Sequence, residues 1–381
     1  MRSASLLALL PLTLAAPSQR SSSAPVLRAQ GTNIVEGKYI VRMKSDSVSS
    51  AVTSAVASIA ADADYTYNTI FNGFAATLTD NEVSTLQEDP NVDYIEHDTI
   101  ITMSTIQDNA PWGLARISSA SPGGTKYTYD ESAGNGTCAY VIDTGIEVDH
   151  PEFRGRAIWG ANFIDSDNFD AQGHGTHVAG TIGAATYGVA KSTSLIAVKV
   201  LDASGSGTNA AIVAGMDYVL RDARTHDCPN GIVVNMSITG GYSVAVNSAA
   251  AAMDSAGLFL AVAAGNFAED ASFFSPASES SACTVGATDS SDALASFSNY
   301  GSIVDVLAPG VDIMSTWIGN TTKTINGTSM ASPHVAGLAA YLLGLGNGMS
   351  GLCDAIAGMA LQGVVSGVPS GTANLLISNR D

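Results

Sequence analysis

The chain has 381 residues, of which 46% are apolar, 13% charged and 7% aromatic. Its 16 Lys and Arg stand against 35 Asp and Glu, a net charge of −19, which excludes a nucleic-acid binder because duplex binding needs a basic face. The apolar share excludes a disordered acidic tail, and the length allows one large or two ordinary domains with a sizeable core.

Residues 1–16 read as a secretory signal peptide: Arg2, the apolar runs Leu6 to Leu10 and Leu12 to Leu14, then the small residues Ala15 and Ala16. The run is too short to span a bilayer, and no later stretch reaches about 18 strongly apolar residues. A secreted, extracellular product without a membrane partner is expected.

Gly37 to Asp98 forms the first patterned region. Lys38 to Met43 alternates as a strand, and Ser47 to Ala61 carries Val52, Val56 and Ile59 at helical spacing. Phe71 to Leu78 reads as a hairpin arm, Glu82 to Leu86 as a short helix and Val92 to Ile95 as a last strand. The expected order is β-α-β-β-α-β, a small α+β split-βαβ domain. Thr99 to Ala110 has no helical period and reads as a linker.

From Pro111 the texture changes. Continuous apolar strands (Ala139 to Ile142, Leu195 to Val200, Gly231 to Met236, Leu258 to Ala263) alternate with small-residue helices (His177 to Ala184, Ala210 to Leu220, Ala249 to Ala256). Such alternation predicts an α/β fold, a doubly wound and mostly parallel sheet covered on both faces. Cys138, Cys228, Cys283 and Cys353 are even in number, widely spaced and without a CxxC pair. In an oxidising compartment they predict two disulfides, and spacing leaves all three pairings open.

Three segments carry chemistry. Tyr140 to Gly145 is an apolar strand ending in Asp143 and a turn; Gly173 to Gly180 sets His174 at the start of a small-residue helix; Gly327 to Gly337 sets Ser329 at the mouth of an apolar helix continuing to Leu345. Amide hydrolysis requires a nucleophile, a base and donors for the developing oxyanion. Ser329, His174 and Asp143 supply the first two and an orienting carboxylate. The Ser329 backbone N–H, at a helix N-terminus, supplies one oxyanion donor. Asn266, after the buried strand and Ala263-Ala264-Gly265, supplies a second from its side chain. Singly, each residue has a plainer reading as turn former, structural His or helix cap. Their conjunction in Asp, His, Ser order, each inside an extended motif, does not.

At these residues the chain resembles the subtilisin-like serine proteases, and within them the proteinase K group of secreted fungal enzymes. The likeness extends to Asn109 to Ser118, which resembles that group's mature amino terminus, to Ser275 to Ser278, and to Phe297 to Gly301. Residues 37–98 resemble the family's inhibitory propeptide.

The resemblance implies Asp143, His174 and Ser329 as triad, Asn266 as oxyanion donor and His177 as a structural neighbour. It implies a cleft whose two edges, Ser204-Gly205-Ser206-Gly207 and Ser237-Ile238-Thr239-Gly240, pair with an extended peptide, with Ala263, Ala264 and Gly265 flooring the first pocket. Small residues there imply an apolar or aromatic side chain before the cleaved bond. Thr239 departs from the usual Gly and narrows the expected pocket; Val178 stands where a relative has a free Cys; Thr208 and Asn209 replace a common aromatic-containing pair. One structural calcium is implied at Asp305 with the carbonyls of Ser280 and Ala282, and a second, weaker site is expected to be absent because Ala120 and Val364 replace its ligands. The resemblance also selects the pairs 138–228 and 283–353. Of four N-x-[ST] sequons, Asn235 and Asn326 are expected unmodified, and Asn135 and Asn320 are open to glycans.

The expected molecule is a preproenzyme: signal peptide 1–16, inhibitory propeptide 17–104, peptidase domain 105–381, with self-cleavage between about Met103 and Ile106. It is expected to act as a monomer on protein and peptide substrates, with its own propeptide as intramolecular inhibitor and no organic cofactor. Two other readings share the scaffold. A narrow-specificity processing protease would line its cleft with carboxylates, which both edges lack. A secreted binding module or inhibitor would not need intact triad motifs.

Overall fold

The computed structural model describes residues 23–27, 34–47, 49–99 and 104–380; the expected signal peptide and Met103 lie outside the described residues. The chain divides into two compact units, Met1–Ile100 and Ile101–Asp381.

The first unit runs β1 (Val26–Leu27), β2 (Ile34–Met43), α1 (Ser49–Val56), β3 (Tyr65–Tyr67), β4 (Gly73–Thr77), α2 (Asp80–Gln87) and β5 (Val92–Thr99). Its sheet has the order β1-β5-β2-β4-β3, antiparallel except for the short β1. Alternate residues of β2, Val41 and Met43, join Phe74, Val52, Leu86 and Ile95 in one small core. A reciprocal cap starts α2: Thr79 accepts from the Glu82 N–H while the Glu82 carboxylate accepts from the Thr79 N–H. The β-α-β-β-α-β order is present, with β1 as an added edge strand.

The second unit begins with β6 (Ser104–Asp108), α3 (Trp112–Ile117), β7 (Lys126–Asp130), β8 (Thr137–Asp143), β9 (Ala157–Asn162), α4 (His174–Gly183), β10 (Ser194–Lys199), α5 (Asn209–Asp222) and β11 (Gly231–Met236). It continues with β12 (Gly240–Gly241), α6 (Val244–Ser255), β13 (Phe259–Ala263), β14 (Phe274–Ser275), β15 (Cys283–Thr288), β16 (Val306–Pro309), β17 (Ile313–Trp317) and β18 (Thr321–Ile325). The long helix α7 (Thr328–Gly344), α8 (Leu352–Met359), β19 (Leu361–Gln362) and β20 (Leu375–Leu376) complete it. The main sheet has the order β19-β20-β16-β15-β13-β11-β8-β10-β9 and is parallel except at β19–β20.

Residue parity divides the strands between two cores. Ala139, Val141, Leu195, Ala197, Val233 and Ala261 face α4 and α7, whereas Tyr140, Ile142, Ile196, Val198, Val234 and Val262 face α5 and α6. Burial on both faces is why these strands read as continuous apolar runs. Helix α7 is buried nearly all round and built largely of Ala, Gly and Leu, so it lies against β11, β13 and β15 at close range. Chain order reverses at β8, whose neighbours are β10 and β11. Ligands of open α/β sheets bind outside the carboxyl ends of the strands at such a reversal.

Among its described residues, the stretch expected as a linker is largely strand. β5 extends to Thr99, and β6 pairs antiparallel with β7 from Ser104↔Asp130 to Asp108↔Lys126. Period-2 burial along β6 supplies no long apolar run, so its strand character comes from the partner. Disulfides join Cys138 to Cys228 and Cys283 to Cys353, each with Cα atoms 5.7 Å apart.

Arg116 of α3 is 2% exposed and forms a bidentate pair with Asp292, at 2.7 and 2.9 Å, in the turn after β15. Asp292→Ala strands that guanidinium without its carboxylate, and a loss of about 3–5 kcal/mol is expected in denaturant unfolding. A loss below about 1 kcal/mol would mean that the arginine finds other partners.

Candidate active site

Asp143 is the last residue of β8 and His174 the first of α4. The His174 Nδ1–H lies 2.8 and 2.9 Å from the two Asp143 carboxylate oxygens. Asp143 is fully buried, and its Oδ1 also accepts from the Thr144 N–H at 2.7 Å. The approach depends on Gly175: a Cβ there would lie 2.1 Å from the Gly145 carbonyl oxygen and 3.2 Å from the Asp143 Cβ. Gly173 at the N-cap has no side chain to cap the helix. Buried Asp170 caps it instead, accepting from the Gly173 and Thr176 N–H groups at 2.8 and 3.0 Å.

Burial pulls the His174 pKa down, but the charge and hydrogen bond of Asp143, helped by the Asp170 charge, leave it above its ordinary 6.5. His177, three residues along α4, behaves in the opposite way. Burial pulls it down to about 3, and its Nε2–H donates to the Ile313 and Lys323 carbonyls. It is held apart from the carboxylate and stays neutral.

Ser329 is the second residue of α7. Its hydroxyl donates to the Ser237 carbonyl at 3.0 Å, and among the described residues no hydrogen bond joins it to His174. The Ser237 hydroxyl donates in return to the Ser329 carbonyl at 2.8 Å. Pro333 explains why that carbonyl is free: four residues on in the helix, it has no N–H to give it. The buried Asn235 and Ser332 extend the link, Ser332 Oγ to Asn235 Oδ1 at 2.8 Å and Asn235 Nδ2 to Ser237 Oγ at 2.9 Å. Asn235, a sequon residue, is thus fully inside, while Asn135 and Asn320 are exposed.

Asn266 lies in the loop after β13, its Oδ1 accepting from both the Thr328 N–H and the Thr328 hydroxyl at 2.8 Å. That fixes the amide so that Nδ2 is the end left to donate. A Cβ placed on Gly327 would lie 3.4 Å from the Ser329 backbone N and 3.6 Å from Asn266 Nδ2, so both donors flank one point that the missing side chain keeps clear. Gly327, at φ +156° and ψ 160°, occupies backbone space essentially reserved for glycine.

A cavity of about 520 Å³ opens beside His174. Ser204, Gly205, Ser206 and Gly207 line it together with Ser237, Ile238, Thr239 and Gly240, as do Asn209 and Pro276. Ala263, Ala264 and Gly265, expected to floor the first pocket, are all buried, and Gly265 adjoins the second edge: the Thr239 methyl lies 3.1 Å from where a Gly265 Cβ would be. Val178 is buried within α4, and Thr208 caps α5 by accepting from the Ala211 N–H. Asp170, Thr328 and Pro333 were not singled out from sequence; only Asp170, three residues before Gly173, carried a recognisable capping signal.

Elsewhere, Asp305, Asp354 and the segment Ser280 to Ala282 line a second cavity of about 560 Å³. Burial pushes the Asp305 carboxyl up to about 6, opposed by the Thr284 N–H and reinforced by the Asp354 charge. Cys283 and Cys353 lie close to Asp305, but their sulfurs are joined to each other. The donors that remain are oxygens, the set a hard cation takes.

The Subtilase family profile matches residues 134–352, and the Peptidase inhibitor I9 profile matches residues 38–104. Proteinase R of Parengyodontium album is 54% identical over 100% of this chain and 99% of its own. The cuticle-degrading protease of Metarhizium anisopliae is 52% identical over the full length of both chains. The crystal structure of a cold adapted subtilisin-like serine proteinase superposes with a TM-score of 0.68 at 44% identity, covering 72% of this chain and all of that one. The family profile and the full-length relatives agree with the sheet and the helices: this chain belongs to the subtilase family, a subtilisin-like serine protease preceded by an I9 inhibitor domain.

Proposed function

We propose that the protein is a secreted endopeptidase of broad specificity, made as a self-processing proenzyme, with Asp143, His174 and Ser329 as its triad. The observation that carries this reading is the two-oxygen contact of Asp143 with His174 Nδ1 at 2.8 and 2.9 Å, next to a cleft edge hydrogen-bonded to Ser329. That contact fixes the tautomer, leaving Nε2 as the base.

An extended peptide adds as a strand to the Ser237 to Gly240 edge, and its N–H competes for the Ser237 carbonyl. The Ser329 hydroxyl, displaced, turns to His174 Nε2 and loses its proton as Oγ attacks the scissile carbonyl. Asn266 Nδ2 and the Ser329 N–H receive the oxyanion. His174 returns the proton to the leaving amine, and water repeats the sequence on the acyl-enzyme.

An apolar or aromatic residue before the cleaved bond is expected, because no Asp or Glu is among the described residues lining the cleft cavity. The same composition speaks against a processing protease selective for basic residues. The proposed parts are a signal peptide at 1–16, an inhibitory propeptide at 17–104 and a monomeric peptidase at 105–381. A cut between about Met103 and Ile106 puts the new terminus at the start of β6, which β7 already pairs. Calcium is proposed at Asp305 with the Ser280 and Ala282 carbonyls, where it would neutralise the buried carboxylate and brace the loop.

Ser329→Ala, expressed alone, is expected to stay at precursor length and to resist labelling by a fluorophosphonate probe. Spontaneous maturation of that variant would overturn self-processing. His174 acts as base only when neutral, so kcat/KM on a peptide amide should fall as pH drops through a value above 6.5. Asp143→Asn should cost about 10⁴-fold in kcat. Chelation should lower the thermal midpoint of the mature enzyme by about 5 °C and leave Asp305→Ala unmoved. Equal shifts in both would place the ion elsewhere.

A further inference from the structure

We infer that Asn299 is a positioning residue for the oxyanion donor, its side chain holding the loop on both sides of Asn266 in register with Ser329. The inference rests on Asn266 having the role proposed above.

Asn266 and the residue after it, Phe267, are both exposed, and the sheet ends at Ala263, so neither burial nor strand pairing holds the donor in place. What holds it lies behind. Asn299 is fully buried, and its Nδ2 donates to the Ala264 carbonyl at 2.9 Å. Its Oδ1 accepts from the Phe267 N–H at 2.9 Å and the Glu269 N–H at 3.1 Å. Its own backbone N–H donates to the Gly265 carbonyl at 2.9 Å. Residues 264, 265, 267 and 269 are thus all fastened to one residue; of the two it skips, Ala268 donates its N–H to the Phe297 carbonyl and Asn266 faces outward.

The chemistry requires an amide. One end must donate to a carbonyl while the other accepts from two N–H groups, which only Asn or Gln can do. An Asp would set a carboxylate oxygen against the Ala264 carbonyl. Gly265, at φ +108°, gives the amide its space, since a Cβ there would lie 2.4 Å from Asn299 Nδ2. Asn299 therefore acts through the backbone, and Thr328 through the Asn266 side chain. Together they fix where Nδ2 points before substrate arrives. Preorganised donors are worth most when they need not move, and a misplacement of about 1 Å can cost about 10²-fold. The cleft edges at 204–207 and 237–240 receive no hydrogen bond from the Asn299 side chain, so substrate binding is spared.

The test is a double-mutant cycle on the full chain after maturation, with active sites counted by fluorophosphonate titration so that rates refer to folded enzyme. On a peptide amide, Asn266→Ala should lower kcat by about 10²–10³-fold. Asn299→Ala should lower kcat by about 10–100-fold with KM within about 2-fold. The double variant should fall within about 3-fold of Asn266→Ala alone, because a donor already removed has no position to lose. If Asn299→Ala fails to fold, Asn299→Asp, which keeps both acceptor bonds, should give the same pattern with a loss of about 10-fold. Losses that multiply, a loss carried by KM, or an unchanged kcat would each overturn the inference. An unchanged kcat in Asn266→Ala would instead overturn the oxyanion assignment on which it rests.

Discussion

Two hydrogen bonds exchanged between Ser237 and Ser329 hold the working parts of this molecule in one frame. One residue belongs to the edge of the cleft and the other to the first turn of the central helix. Each gives its hydroxyl to the other's carbonyl, so the cleft edge and the first turn of the helix are tied together in the free protein. The exchange is possible because Pro333 withholds the N–H that a regular helix would give to the Ser329 carbonyl. A residue that ordinarily weakens a helix interior here frees an acceptor for a cross-link, and Asn235 and Ser332 carry that link into the core.

The histidines illustrate how position sets chemistry on one scaffold. His174 has a carboxylate on its Nδ1 and is more basic than usual; His177 and His334 have carbonyl partners alone, and burial pulls them down to about 3 and about 4. Their linkage to stability has opposite signs. Protonated His174 favours the fold below its unfolded pKa, and that contribution disappears as pH rises through its raised folded value. The two neutral histidines favour the fold above about 6.5, and that contribution is lost as pH falls toward their depressed values, by about 1.4 kcal/mol per pH unit for each. With His174 as the proposed base, catalysis requires it neutral, and the site would give up that stabilising protonation in order to work.

Much of the fold was legible because it is buried on both faces. The apolar runs at 139–142, 195–200, 231–236 and 258–263 have no other use, and each became a strand of the main sheet. The segments bearing Asp143, His174 and Ser329 were legible because glycine and small residues crowd around them, the mark of backbones that approach closely. What the sequence hid depended on partners. β6 has no apolar run of its own and takes its structure from β7. Asn299 acts through backbone groups of another segment, and no spacing rule links a side chain to a carbonyl 35 positions away.

The order of the elements along the chain has its own consequence. β8, β11, β13, β15 and β16 all precede the helix that packs against them, and that helix carries Ser329, the proposed nucleophile. A chain emerging from the ribosome therefore exposes the apolar face of the sheet before the helix that covers it exists, and through that interval the half-built sheet must be kept from associating with its neighbours.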